Sequence, residues 1–247
     1  MHELYELTIE SADLELAVTE GFADKAKSTA SKIIEKLKTF IKKFIVFIKD
    51  KCVKFIKYVL HLATKLKNLT EMDDREMIDV PNCIIVDDSA KTLMSIEKKV
   101  LRALTQLEKG DDVDEEYLNF SKERSTIDQI LLGYSQSISV AKAKKDIMGT
   151  LSYIHQKNNI AVGIIKSLND MIDKLEKDET NSNRLDRYNQ LVIIQKLISI
   201  EQYMITYNNK TLEKCLILIK KIGNKKIKDE VETSKKIEDH VTKPVLN

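Results

Sequence analysis

With 247 residues, 43% of them hydrophobic, and a formal net charge of only +2, the chain is long enough to bury one sizeable core or two small ones. Six glycines, two prolines and no tryptophan leave few residues for tight turns, so a turn-rich β fold is excluded and an all-α fold follows. The three cysteines, Cys52, Cys83 and Cys215, are odd in number and far apart, which excludes a disulfide framework or a zinc knuckle and points to a reducing compartment.

Charge is distributed in blocks. Residues 1–20, MHELYELTIESADLELAVTE, carry Glu3, Glu6, Glu10, Asp13, Glu15 and Glu20 with no Lys or Arg, a net of −6 and the reverse of a secretory signal. They form either an acidic leader or an ordinary acidic first helix with Leu4, Leu7, Leu14 and Leu16 as its apolar contacts. Residues 21–69 switch abruptly to thirteen lysines against Asp24, Glu35 and Asp50, a net of +10. Ile34, Leu37, Ile41, Phe44, Ile48, Cys52, Phe55, Val59, Leu62, Leu66 and Leu69 recur there in steps of three or four, the period of an amphipathic helix. Its longest apolar run, Phe44 to Ile48, is far short of the roughly 20 residues a membrane span requires.

The spacing predicts a basic helical arm over residues 21–69 and an acidic linker over residues 70–88, the latter containing Pro81 and one short extended piece at Cys83 to Val86. A bundle of four or five antiparallel helices is expected over residues 89–222. Its first helix is capped by Ser89 and stopped by Gly110, and an acidic loop with Asp114 as the next cap follows. A helix is expected from Leu118 through Ile138, then one from about Ile147 to Leu175 with a kink near Asn158 and Asn159. Leu185 to Tyr207 and Leu212 to Ile222 complete the bundle, joined at Asn208 and Asn209. Residues 223–247 read as a lysine-rich, frayed tail.

No catalytic constellation is legible. The glycines lie too far apart for a phosphate-binding loop, and His2, His61, His155 and His240 occupy separate segments with no metal-ligand spacing. The loop GDDVDEEY lacks the glycine and glutamate positions of an EF-hand. The expectation is therefore a non-enzymatic protein with no cofactor, no metal and no evident small-molecule substrate. The candidate binding residues are Lys36, Lys42, Lys43, Lys49 and Lys57 on the polar side of the arm, for an anionic partner, and Phe44, Ile48 and Phe55 on its apolar side, for insertion or docking. Lysine rather than arginine dominance favours sequence-independent phosphate contact over base reading.

The N-terminal order, an acidic leader with hydrophobic-x-Glu triplets, then Gly21-Phe22 and a lysine-rich amphipathic helix, resembles tailed-bacteriophage head and internal virion proteins that carry a short propeptide. The resemblance covers about 25 residues and implies cleavage after Val18-Thr19-Glu20, between Glu20 and Gly21; Val18 departs from the Leu or Ile that the strictest motif prefers. It implies a structural protein of the capsid interior, whose arm engages other virion proteins, non-specific DNA or an anionic membrane surface, in the virion or the infected cytoplasm. The alternative expectation is a cytosolic adaptor or regulatory protein that grips another protein through the amphipathic face.

Overall fold

The computed structural model describes residues 6–7, 9–13, 27–133, 135–177 and 184–232. The basic segment is a continuous helical rod: α1 (Lys27–Val46), a π-helical turn (Phe47–Cys52) and α2 (Val53–Lys65). The π turn has a cause in the sequence. Phe44, Ile48, Cys52 and Ile56 are spaced by four three times over, and in a straight α-helix each step of four overshoots one turn by about 40°. Three such steps would carry the apolar stripe off the core. A turn widened to i→i+5 hydrogen bonding, seen in the Val53 N–H donating to the Ile48 carbonyl, takes up the excess, and Phe44, Ile48, Cys52 and Ile56 are all buried.

After the rod the chain forms β1 (Met77–Pro81), a 3-10 turn (Asn82–Ile84), α3 (Val86–Lys109), α4 (Glu115–Leu118), α5 (Ser121–Leu132), β2 (Ser135–Ser139), α6 (Val140–Lys177) and α7 (Arg184–Ile222). The fold is all-α, a long basic amphipathic helix followed by antiparallel helices, with one small two-stranded sheet. Helix α6 is its hub and packs against α1, α2, α3 and α7. In α7 the residues Leu191, Ile194, Ile198, Glu201, Ile205, Asn208, Leu212, Cys215, Ile219 and Ile222 alternate in steps of three and four, and every one is buried. A matching stripe runs along α6 from Ile147 to Ile172 with Asn158 in one slot. The Asn208 amide donates to Asn158 Oδ1 at 2.8 Å, so the two polar slots meet. A buried amide pair of this kind holds one register, since sliding either helix would leave both amides without partners.

Several expectations are corrected. The rod is not a separate arm: Ile34, Leu37, Ile41, Phe44, Val59, Leu62 and Leu66 belong to the same buried cluster as α3, α6 and α7. Each such side chain removed from water stabilises by about 1.5–3 kcal/mol, so a stripe this long is core rather than a free docking face. Residues 70–88 are not a linker either. Ile78, Val80, Cys83, Ile84 and Ile85 are buried, and the extended piece is β1 rather than Cys83 to Val86, with Ile78 opposite Ile138 and Val80 opposite Gln136 in β2.

The helix expected over Leu118 to Ile138 breaks twice. Asn119 is extended after α4, and at Gly133 a Cβ would lie 2.3 Å from the Gln129 carbonyl oxygen, a contact that no side chain survives. The join predicted at Asn208 and Asn209 is absent. Helix α6 passes through Asn158 and Asn159, and α7 passes through Asn208 and Asn209, because the buried asparagines bond across to other helices instead of turning their own backbone. Helix α3 does stop at Gly110, whose φ of +76° suits glycine, with Gly110 N–H bonded to the Leu107 carbonyl and Asp111 N–H to the Gln106 carbonyl. It begins at Val86, ahead of Ser89. Asp114 precedes α4 as expected, but its carboxylate accepts from the Gln106 amide rather than capping.

The tail begins as structure. Residues 225–232 are helical, Ile227 and Val231 are buried, and Asn224 N–H bonds the Leu69 carbonyl. At the other end residues 9–13 are helical and Leu7 is buried. The described core thus draws on residues from Leu7 to Val231.

Candidate polyanion-binding face

Because the rod turns its apolar stripe inward, its lysines are forced outward. Lys32, Lys36, Lys42, Lys43, Lys49, Lys54 and Lys57 are exposed along a helix of roughly 58 Å, at about 1.5 Å per residue. Some lysines are tied down. Lys38 is held by Asp173, at 2.5 Å, and by Glu176, and the two carboxylates raise its pKa above the ordinary range. Lys65 bonds Glu230 at 2.6 Å, and His61 Nε2 lies 3.5 Å from the same carboxylate. Lys43 bonds Glu10 at 2.6 Å, so this candidate residue is already in an internal ion pair. Lys36, Lys42, Lys49, Lys54 and Lys57 make no ion pair among the described residues. Glu35 and Asp50 are exposed on the rod as well and dilute its charge.

The apolar candidates have a different fate. Phe44 and Ile48 are fully buried and Phe55 is half-buried against the core, so none is offered to a membrane or a partner. Phe44 instead meets Phe40, with ring centroids 5.6 Å apart. Glu20 and Gly21, the candidate cleavage site, lie outside the described residues.

Sequence reasoning missed a second cluster, where α3, α6 and α7 meet. Lys157 of α6 is paired with Glu97 of α3, both largely buried, and its ammonium lies 5.2 Å from the centre of the Tyr153 ring. Behind them, on α7, is Glu201, 2% exposed. Burial first, and the neighbouring Glu97 charge second, push its carboxyl up to about 8, against the pull of Lys157. Below that pH Glu201 is neutral and the Glu97–Lys157 pair balances itself. In front of the pair opens a groove of about 630 Å³ lined by Met94, Ser95, Leu101, Arg102 and Thr105 among others. The signal was present in the sequence: Glu201 occupies an apolar slot of the three-four repeat of α7, a placement that surface carboxylates avoid.

The thiols are inert by environment. Cys52 is buried and its thiol is pushed up to about 11 by desolvation, while accepting from the Asn209 amide at 3.4 Å; burial raises Cys83 and Cys215 too. Among the described residues no group of three or more His, Cys, Asp or Glu is placed to hold a metal ion. None of the described helices is long and apolar enough to cross a membrane. The sequence matches no protein-family model, and neither a curated protein nor a solved structure matches it.

Proposed function

We propose that the chain is a non-enzymatic structural protein of a tailed-phage virion, resident in the capsid interior, whose lysine face binds DNA phosphates without regard to sequence. The observation that supports the DNA half is the row of exposed lysines, Lys36, Lys42, Lys49, Lys54 and Lys57, which make no ion pair among the described residues, on a rod whose apolar side is already buried in its own core. Compact ammonium groups on flexible stems contact phosphate as point charges, and their binding draws on released counterions. With Phe44 and Ile48 buried, the rod's apolar stripe is taken up by the core rather than offered to a bilayer, and the adaptor reading loses the face it required. The virion half rests on the resemblance of the N-terminal order.

Fluorescence anisotropy with a labelled mixed-sequence DNA duplex over a salt series tests the first half. The expected result is binding that falls linearly in log–log form with salt, is equal for a shuffled duplex, and is lost when Lys36, Lys42, Lys49 and Lys57 become Glu. Equal affinity of that variant at low salt, or binding to phosphatidylserine vesicles but not to DNA, overturns it. Mass spectrometry of purified particles from the natural source tests the second half, which requires the chain to be present in them.

A further inference from the structure

Residues 6–7 and 9–13 sit on the protein beside the lysine face. Leu7 is buried in the core, Ser11 is buried with its hydroxyl 3.5 Å from Ser199 Oγ of α7, and Glu10 Oε1 is 2.6 Å from Lys43 Nζ of α1. One apolar anchor, one polar contact and one ion pair thus place residues 6–7 and 9–13, whose charged side chains, Glu6, Glu10 and Asp13, are all acidic, against the most basic element of the chain. Glu10 and Lys43 are both more than one-third exposed. A pair this wet adds little to folding and exchanges readily for another anion. Its tethering nevertheless keeps a carboxylate at high local concentration at Lys43, one of the places where a phosphate would land.

From this placement we infer that the N-terminal segment is an intramolecular electrostatic cover: Glu10 occupies Lys43 and thereby lowers the affinity of the lysine face for polyanions, and a polyanion binds fully only after displacing it. The inference rests on the DNA-binding reading above and adds its regulation. Among the described residues Lys43 differs from Lys42 and Lys49 in one respect that matters, an acidic competitor in contact with it.

The test uses the full chain and the same labelled duplex. Glu10→Gln frees Lys43, so the slope of log affinity against log salt should steepen by about one, the contribution of one added phosphate contact. Affinity at low salt should rise several-fold. Asp112→Asn, on the acidic loop after α3, changes the net charge equally and serves as the control; it should leave the slope unaltered. Leu7→Ala, which weakens the anchor, should move the slope in the same direction as Glu10→Gln. If Glu10→Gln leaves slope and affinity at parental values while the four-lysine variant abolishes binding, the cover is wrong and the DNA-binding reading stands. If Asp112→Asn steepens the slope as much as Glu10→Gln does, the effect is net charge alone and the cover is again wrong. If the parent does not bind the duplex, both fall together.

Discussion

Lysine stands in two opposite settings in this molecule. Along the basic rod, Lys42, Lys49 and Lys57 project into water from a helix whose other side is core, while Lys157, in the seam of α3, α6 and α7, is enclosed beside Glu97 with Glu201 behind it. Solvent screens the first group, so changing those charges alters what the surface attracts and hardly alters folding. In the seam the environment cannot reorganise around a charge, so any change there is felt by the fold. The same side chain is a binding element in one place and a structural one in the other, and burial decides which.

The largest effect should come from Lys157→Ala, which leaves Glu97 ionised near Glu201 with no counter-charge. A loss of about 3–5 kcal/mol in urea unfolding is expected, with an unchanged m-value. The double change Glu97→Leu with Lys157→Met should restore most of it, since an apolar pair needs no neutralisation. If Lys157→Ala costs no more than an exposed lysine, the contrast between the two regions collapses.

Glu201→Gln comes next and carries a pH signature. The folded-state pKa of about 8 lies above the ordinary glutamate value, so the folded chain holds this proton more tightly than the unfolded chain does. The parent should therefore lose stability as pH rises from about 4.5 to about 8 and level off above that. Each unit of displacement corresponds to about 1.4 kcal/mol, so the glutamine variant should gain about 4 kcal/mol on the parent between pH 5 and pH 9, read from urea midpoints at the two pH values. Parallel parent and variant profiles would show that Glu201 is not held as the neutral acid.

The smallest effect on folding belongs to the rod. Lys42→Glu, Lys49→Glu and Lys57→Glu should each shift the unfolding free energy by no more than about 0.5 kcal/mol, while thermal melts stay cooperative. A larger loss would mean that these ammonium groups support the fold through their stems.

The helical character, the amphipathic stripe of the rod and the stop at Gly110 were legible in the sequence because each is a local signal: a period, or one residue with a special backbone angle. The pairing of β1 with β2 joins residues 58 positions apart, Asp79 with Ser137, and no window of sequence contains both. Asn208 and Asn209 look like a turn when read alone; their partners, Asn158 and Cys52, lie on other elements. The lysine face was likewise legible in outline, but which lysines remain available was not, since Glu10 and Glu230 reach it from opposite ends of the chain. Glu201 is the residue most open to a better reading, because its slot in α7 is apolar on both sides.

The π turn makes the rod one residue longer than its faces require. Removing Asp50, which is exposed, would leave Phe44, Ile48, Cys52 and Ile56 spaced by four, three and four, the ordinary rhythm of an α-helix. Everything beyond the deletion would keep its orientation, and the turn would simply close to i→i+4. At this place alone along the rod a frame of one residue can be dropped without rotating the following side chains out of the core, so the segment Phe47–Cys52 is where a chain of this fold can change length by a single step and remain the same fold.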